Sequence, residues 1–167
     1  MPSLKKPPTL NLSTLLKKLN ETAVEFILVG GLAAVAQGAP ITTFDLDIVH
    51  RRSDKNISRL YKLLASIDAY YRRPDEKIIR PLEEDLKGSG HQLLMTSFGP
   101  LDILAVIEKG MGYQELLPFS VEITFHGYKM RVLHLETMIE LKHDSSRPMD
   151  KYRLRIYEET LRMKNGR

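Results

Sequence analysis

The sequence predicts a mixed α/β domain of the α+β kind, a small mixed β-sheet flanked by helices and closed by C-terminal helices. Three observations predict it. Apolar residues at helical spacing alternate along the chain with short apolar runs at strand spacing. His126-Gly127 is a two-residue hairpin signal between two strand-like segments. The length of 167 residues is that of one domain with a substantial core, spanning 1–167, with its core at about 22–133 and its C-terminal helices at about 134–165.

Leu12, Leu15, Leu16 and Leu19 fall at i, i+3, i+4 and i+7, so residues 11–21 read as an amphipathic helix. Phe26 to Val29 is a short apolar run ending at Gly30-Gly31, which suits a buried strand. Leu32 to Gln37 is Ala-rich and helical, and Gly38 can end it. Asp45 to Val49 alternates as a strand does. Ser53 can cap a helix carrying Ile57, Leu60, Tyr61 and Leu64 on one face. Residues 69–90 hold Pro74, Pro81, Gly88 and Gly90 and read as a loop with one short helix at most. Gln92 to Ser97 and Leu101 to Ile107 read as strands joined by Phe98-Gly99-Pro100. Val121 to Phe125 and Tyr128 to Leu133 form the hairpin. Helices at about 135–143 and 148–163 close the chain, and Pro148 falls where a first helical turn tolerates proline.

No apolar stretch approaches the ~20 residues of a membrane span. The start, MPSLKKPPTL, has basic residues without an apolar signal core. A soluble, cytoplasmic protein with no membrane partner is expected. The absence of cysteine excludes disulfides and thiolate metal sites. The net charge of +4 is concentrated at the C-terminus, where residues 142–167 hold eight Lys or Arg against four acids. Such a helix can meet a polyphosphate or nucleic acid, or can simply be a solvated face.

The chemistry rests on aspartates. Residues i and i+2 of a strand share a face, so Asp45 and Asp47 point the same way in Asp45-Leu46-Asp47-Ile48-Val49. Phe44, Leu46 and Ile48 are then expected to anchor the other face in the core. The two carboxylates stand roughly 7 Å apart by strand rise. Like charges this close repel, and a cation between them removes the conflict. Hard divalent ions want oxygen ligands, and Mg²⁺ takes one or two carboxylates plus substrate phosphates. The competing reading is an acidic, solvated strand edge. Asp102 lies in the apolar run Leu101-Asp102-Ile103-Leu104, where an unpaired carboxylate is costly unless a metal or a proton accompanies it. Its competing reading is a strand-end residue facing water.

Gly30-Gly31 follows a strand and opens a helix, so the backbone there can approach a phosphate. It matches neither the dinucleotide fingerprint nor the Walker loop. Lys142 shares a helix face with Leu135, Met138 and Ile139. It either points toward the site and a triphosphate or covers the helix end with its stem. Asp150 sits in a first helical turn, where a structural role is preferred.

Together, Val29-Gly30-Gly31, thirteen intervening residues, Asp45-Leu46-Asp47 and the later Leu101-Asp102-Ile103 resemble the nucleotidyltransferase superfamily of DNA polymerase β-like enzymes and small bacterial transferases. The tail from Leu135 to Lys142, followed by Arg147-Pro148-Met149-Asp150, is similar to the C-terminal helices of small bacterial members.

The resemblance implies transfer of a nucleoside monophosphate from an NTP to an acceptor hydroxyl, with release of pyrophosphate. It implies Asp45, Asp47 and Asp102 as catalytic ligands of Mg²⁺ or Mn²⁺. Gly30, Gly31, Thr43 and Lys142 would contact the nucleotide. The acceptor stays open among tRNA, protein and small molecule. Two alternatives accompany this reading: a catalytically silent nucleotide- or RNA-binding member, and the toxin of a toxin–antitoxin pair with a partner protein. One departure is visible. Where many small members carry Arg in Arg-x-Thr-x-Asp-x-Asp, this chain has Ile41. A phosphate contact must then come from elsewhere, with Arg51, Arg52 and the basic group at 72–80 as the candidates. The five histidines lack metal-ligand spacing and read as structural or surface residues.

Overall fold

The computed structural model describes residues 8–166. Its helices are α1 (Leu12–Glu21), α2 (Gly30–Ala36), α3 (Asp54–Ser66), α4 (Tyr113–Leu116), α5 (Leu135–Lys142) and α6 (Pro148–Asn165). Its strands are β1 (Phe26–Val29), β2 (Leu46–His50), β3 (Tyr70–Tyr71), β4 (His91–Thr96), β5 (Gly99–Leu104), β6 (Ser120–Phe125) and β7 (Tyr128–Leu133). They form one seven-stranded mixed sheet in the order β3-β4-β5-β2-β1-β7-β6. β2 runs parallel to β5 and antiparallel to β1, while β1 runs parallel to β7. Among the described residues, no helix is long and apolar enough to cross a membrane.

The elements form where local chemistry favours them. α1 buries Leu15, Leu16 and Leu19 and is capped by the Asn11 side chain, which accepts from Thr14 N. Ser53 caps α3 by accepting from Asn56 N. Pro148 starts α6, where its missing N–H costs no bond. His126 and Gly127 both take positive φ, +52° and +85°, as the tight turn between β6 and β7 requires.

Several boundaries differ from expectation. α2 begins at Gly30 rather than Leu32. β2 begins at Leu46, leaving Asp45 one residue outside the ladder. β5 begins at Gly99 and ends at Leu104, so Pro100 lies inside a strand. The 69–90 segment is not only loop: Tyr70–Tyr71 adds a short edge strand to β4, and Glu83–Leu86 is a single 3₁₀ turn. Residues 108–119 hold α4 and two 3₁₀ turns that no period in the sequence announces. Phe44 does not anchor the core. It is 75% exposed, because it precedes the strand whose pleat was to turn it inward, whereas Leu46 and Ile48 are fully buried.

Two buried amides tie the elements that carry the site. Asn56 accepts from Glu25 N at 2.7 Å and donates to Glu25 O and Arg51 O, joining α3 to the start of β1 and the end of β2. Gln37 donates to Leu133 O at 2.8 Å and accepts from Leu135 N at 2.9 Å, holding the β7–α5 junction against the end of α2. Each saturates backbone groups that burial would otherwise leave unpaired.

Candidate active site

The parallel pairing of β2 with β5 puts Asp47 directly opposite Asp102. Asp45, at the mouth of β2, completes a trio whose carboxylate oxygens can all lie within 4.8 Å of one another. Asp102 is buried, while Asp45 and Asp47 are half-buried. Gly30 closes one side. Its φ is +70°, and a Cβ there would fall 2.2 Å from Asp47 Oδ2, so only glycine admits this approach of turn and carboxylate. A Cβ on Gly31 would meet Thr43 Oγ1 at 2.9 Å and Arg153 Nη1 at 3.1 Å. Thr43 also donates to Asp45 Oδ1 at 3.3 Å, linking the glycine turn to the trio.

The electrostatics are unfavourable without a cation. Burial pushes the Asp47 carboxyl up to about 8, with the Asp45 charge and Asp102 adding to the shift. Burial also raises Asp102, against the pull of Arg72. Arg72 Nη1 stands 2.8 Å from Asp102 Oδ1. That distance makes an ion pair, yet no donor hydrogen is directed at the buried oxygen. The same Nη1 donates to Leu94 O. A set of three hard oxygen donors, one carrying a buried and unserved lone pair, fits a divalent ion such as Mg²⁺ or Mn²⁺.

Asp47 and Asp102 face a cleft of about 540 Å³ shared with Gly30, Gly31, Lys142, Arg147 and Arg153. Lys142 thus does line the cleft, but it is engaged there, 2.5 Å from Glu108 Oε1 and 3.8 Å from Asp150 Oδ1. Asp150 lines the same cleft and accepts from Ser145 at 2.7 Å. Thr43 and Asp45 open instead onto a neighbouring cleft of about 720 Å³.

Of the cations considered for the position of Ile41, Arg51 pairs with Glu25 at 3.2 Å and Arg52 donates to Gly88 O. Both are remote from the trio's clefts, whereas Arg72 reaches it. Sequence reasoning missed Arg147 and Arg153. The spacing of Arg153 with Asp150 and Tyr157 along α6 was a usable signal, because it lays these three on one helical face, while Arg147 is the N-cap residue just before that helix. His50 is buried, with Nε2 2.8 Å from Leu86 O, and burial lowers its pKa. His91 sits at the cleft rim.

Comparison with solved structures shows that the chain has a nucleotidyltransferase-like fold. It is similar to a provisionally assigned nucleotidyltransferase from Thermotoga maritima, at 17% identity and TM-score 0.53, covering 93% of this chain and 91% of that one. It is also similar to the lincosamide antibiotic adenylyltransferase LnuA in its lincomycin-bound form, at 14% identity and TM-score 0.59, covering 89% and 95%. No family model and no curated protein matches the sequence.

Proposed function

We propose that this protein is a nucleotidyltransferase, moving a nucleoside monophosphate from an NTP to an acceptor hydroxyl. The observation that carries the reading is the convergence of Asp45, Asp47 and Asp102 against a glycine turn that no side chain could occupy. Nucleotidyl transfer asks mainly for positioning and charge neutralisation. Asp45, Asp47 and Asp102 would hold Mg²⁺ or Mn²⁺, and the bound cation would supply charge neutralisation at the phosphates.

The chain's own residues divide the remaining tasks. Gly30 and Gly31 leave the floor of the cleft open for the triphosphate. α2 has only seven residues, so close backbone approach rather than a long helix dipole is its contribution. Arg147 and Arg153 bring positive charge to the same cleft, replacing the arginine absent at Ile41. Lys142 joins them once phosphate oxygens compete with Glu108 for its ammonium group. Thr43 steadies Asp45. Arg72 holds Asp102 in place, and Asp102 is placed to take the acceptor proton.

The test offers α-labelled NTPs with Mg²⁺ or Mn²⁺ and RNA, protein or small-molecule acceptors. Transfer by the wild type that disappears in Asp45→Asn and Asp47→Asn supports the reading. Transfer that survives both substitutions sinks it.

A further inference from the structure

The two edges of the sheet are finished differently. β3 is two residues long, and the chain beyond it covers its outer side, where Tyr71 N donates to Ile79 O at 2.9 Å. Shortness and cover are common protections of a sheet edge against pairing with another chain. β6 ends the sheet on the other side with six residues, Ser120–Phe125, and contains no proline and no lysine. Val121, Ile123, Thr124 and Phe125 are all residues that favour strands.

The hairpin register decides which backbone groups this edge presents. The tight turn makes Phe125 and Tyr128 the closing hydrogen-bonded pair, and bonded pairs recur at every second residue. Phe125, Ile123 and Val121 therefore bond to β7, and the bond from His134 N to Phe119 O at 2.9 Å continues the series. Ser120, Glu122 and Thr124 turn their N–H and C=O groups away from β7. Ser120 is served within the chain, its N–H donating to Leu117 O and its carbonyl accepting from Arg131 Nη1. Among the described residues, the N–H and C=O groups of Glu122 and Thr124 have no partner beyond the edge. The Glu122 side chain is exposed, as is that of Lys129, which lies opposite Thr124 on β7. Neither enters an ion pair among the described residues.

We propose that β6 pairs antiparallel with β6 of a second copy of this chain, about a two-fold axis at Ile123, joining the two sheets into one. In this register Glu122 faces Thr124 of the second copy, and the reverse. Each facing pair exchanges two hydrogen bonds, so every free backbone group of Glu122 and Thr124 is satisfied. An axis at Glu122 would set two glutamates directly opposite each other and would meet the Ser120 groups that are in use. The side chains favour the same register. Lys129 of the second copy lies two strands from Glu122, about 10 Å away, with only Thr124 of that copy between them. Both side chains are long enough to meet across it. On the other face, Ile123 meets its own copy and Val121 meets Phe125, extending a face on which Ile123 and Phe125 pack against the core. A strand from another protein could take the backbone bonds, but only a second copy returns both charge matches by symmetry. The carboxylate trio is left undisturbed, because β7 and β1 stand between β6 and β2.

The test is sedimentation velocity of the full chain at rising concentration, with amide hydrogen exchange followed by NMR on the same samples. The mass should climb from the 19.1 kDa of one chain to twice that value. The Glu122 and Thr124 amides should exchange more slowly as the dimer fills. Thr124→Pro removes an outward N–H that bonds nothing within the chain, and should leave a folded monomer by circular dichroism. Glu122→Lys and Lys129→Glu should each weaken the dimer roughly fivefold to thirtyfold, and the two together should restore most of the loss. A wild type that keeps the mass of one chain at every concentration overturns the inference. So does a dimer whose Glu122 and Thr124 amides exchange as fast as the monomer's, which would place the interface elsewhere. A dimer that survives Thr124→Pro, or whose charge-swapped double variant recovers nothing, overturns it as well. If Thr124→Pro does not fold, the two charge variants and their combination decide the matter alone.

Discussion

Gly30 and Asp47 lie so close that a Cβ on the glycine would sit 2.2 Å from the aspartate Oδ2. The contact joins the turn after β1 to the second residue of β2, and it carries the first prediction. Gly30→Ala places a methyl group on a carboxylate oxygen at a φ of +70°. Left-handed backbone costs an L-residue about 1–2 kcal/mol, and displacement of Asp47 adds to that. The variant should melt several degrees lower and lose Mg²⁺-dependent nucleotide binding. Calorimetric titration with Mg²⁺–ATP checks this, and wild-type affinity in a folded variant would contradict it.

The second prediction concerns pH. A carboxyl with its folded value above its unfolded one holds its proton more tightly when folded. The extra stability from Asp47 is therefore fully present below the ordinary value of 3.8 and drains away as pH rises to about 8. Thermal melts of the metal-free protein should fall across that window, apart from general acid effects at its lower end. Asp47→Asn should flatten the decline. Mg²⁺ should raise the melting temperature most at the alkaline end, where the carboxylates are ionised.

Arg72 supplies the third. It is the cation nearest the buried Asp102 oxygen, and Arg72→Met leaves that carboxylate without a countercharge. The metal-free variant should melt lower than the wild type at pH 8, and Mg²⁺ should recover more of the loss than it adds to the wild type. A metal-free variant as stable as the wild type at that pH would show that Arg72 matters little to the trio.

Asn56 tests the frame rather than the chemistry. Its side chain serves Glu25 N, Glu25 O and Arg51 O from a buried position. Asn56→Ala leaves these groups underserved at about 1–3 kcal/mol each, softened by any water that enters. A loss of roughly 3 kcal/mol is expected in urea unfolding. A change below about 0.5 kcal/mol, typical of a neutral surface site, would contradict the assignment.

Much of this molecule is written in local pattern. α1, α3, the β6–β7 hairpin and the start of α6 follow from helical spacing, capping side chains and turn residues, all decided within a few positions of the chain. The same holds for the glycine turn, which follows β1 directly, whereas Asp45 lies outside the β2 ladder and strand alternation alone does not set it beside Asp47. Other features depend on what meets across the sheet. β3 exists because β4 offers Tyr70 and Tyr71 a free edge. Phe44 faces solvent because the ladder starts two residues after it. Arg72, Arg153 and Asp102 lie far apart in sequence, and only the order β3-β4-β5-β2 and the packing of α6 bring them to one place. The sequence alone determined that three aspartates and a glycine pair were available. Their joining into one site was decided by the parallel register of β2 with β5, since alignment between strands is a property of the packed sheet and not of either strand.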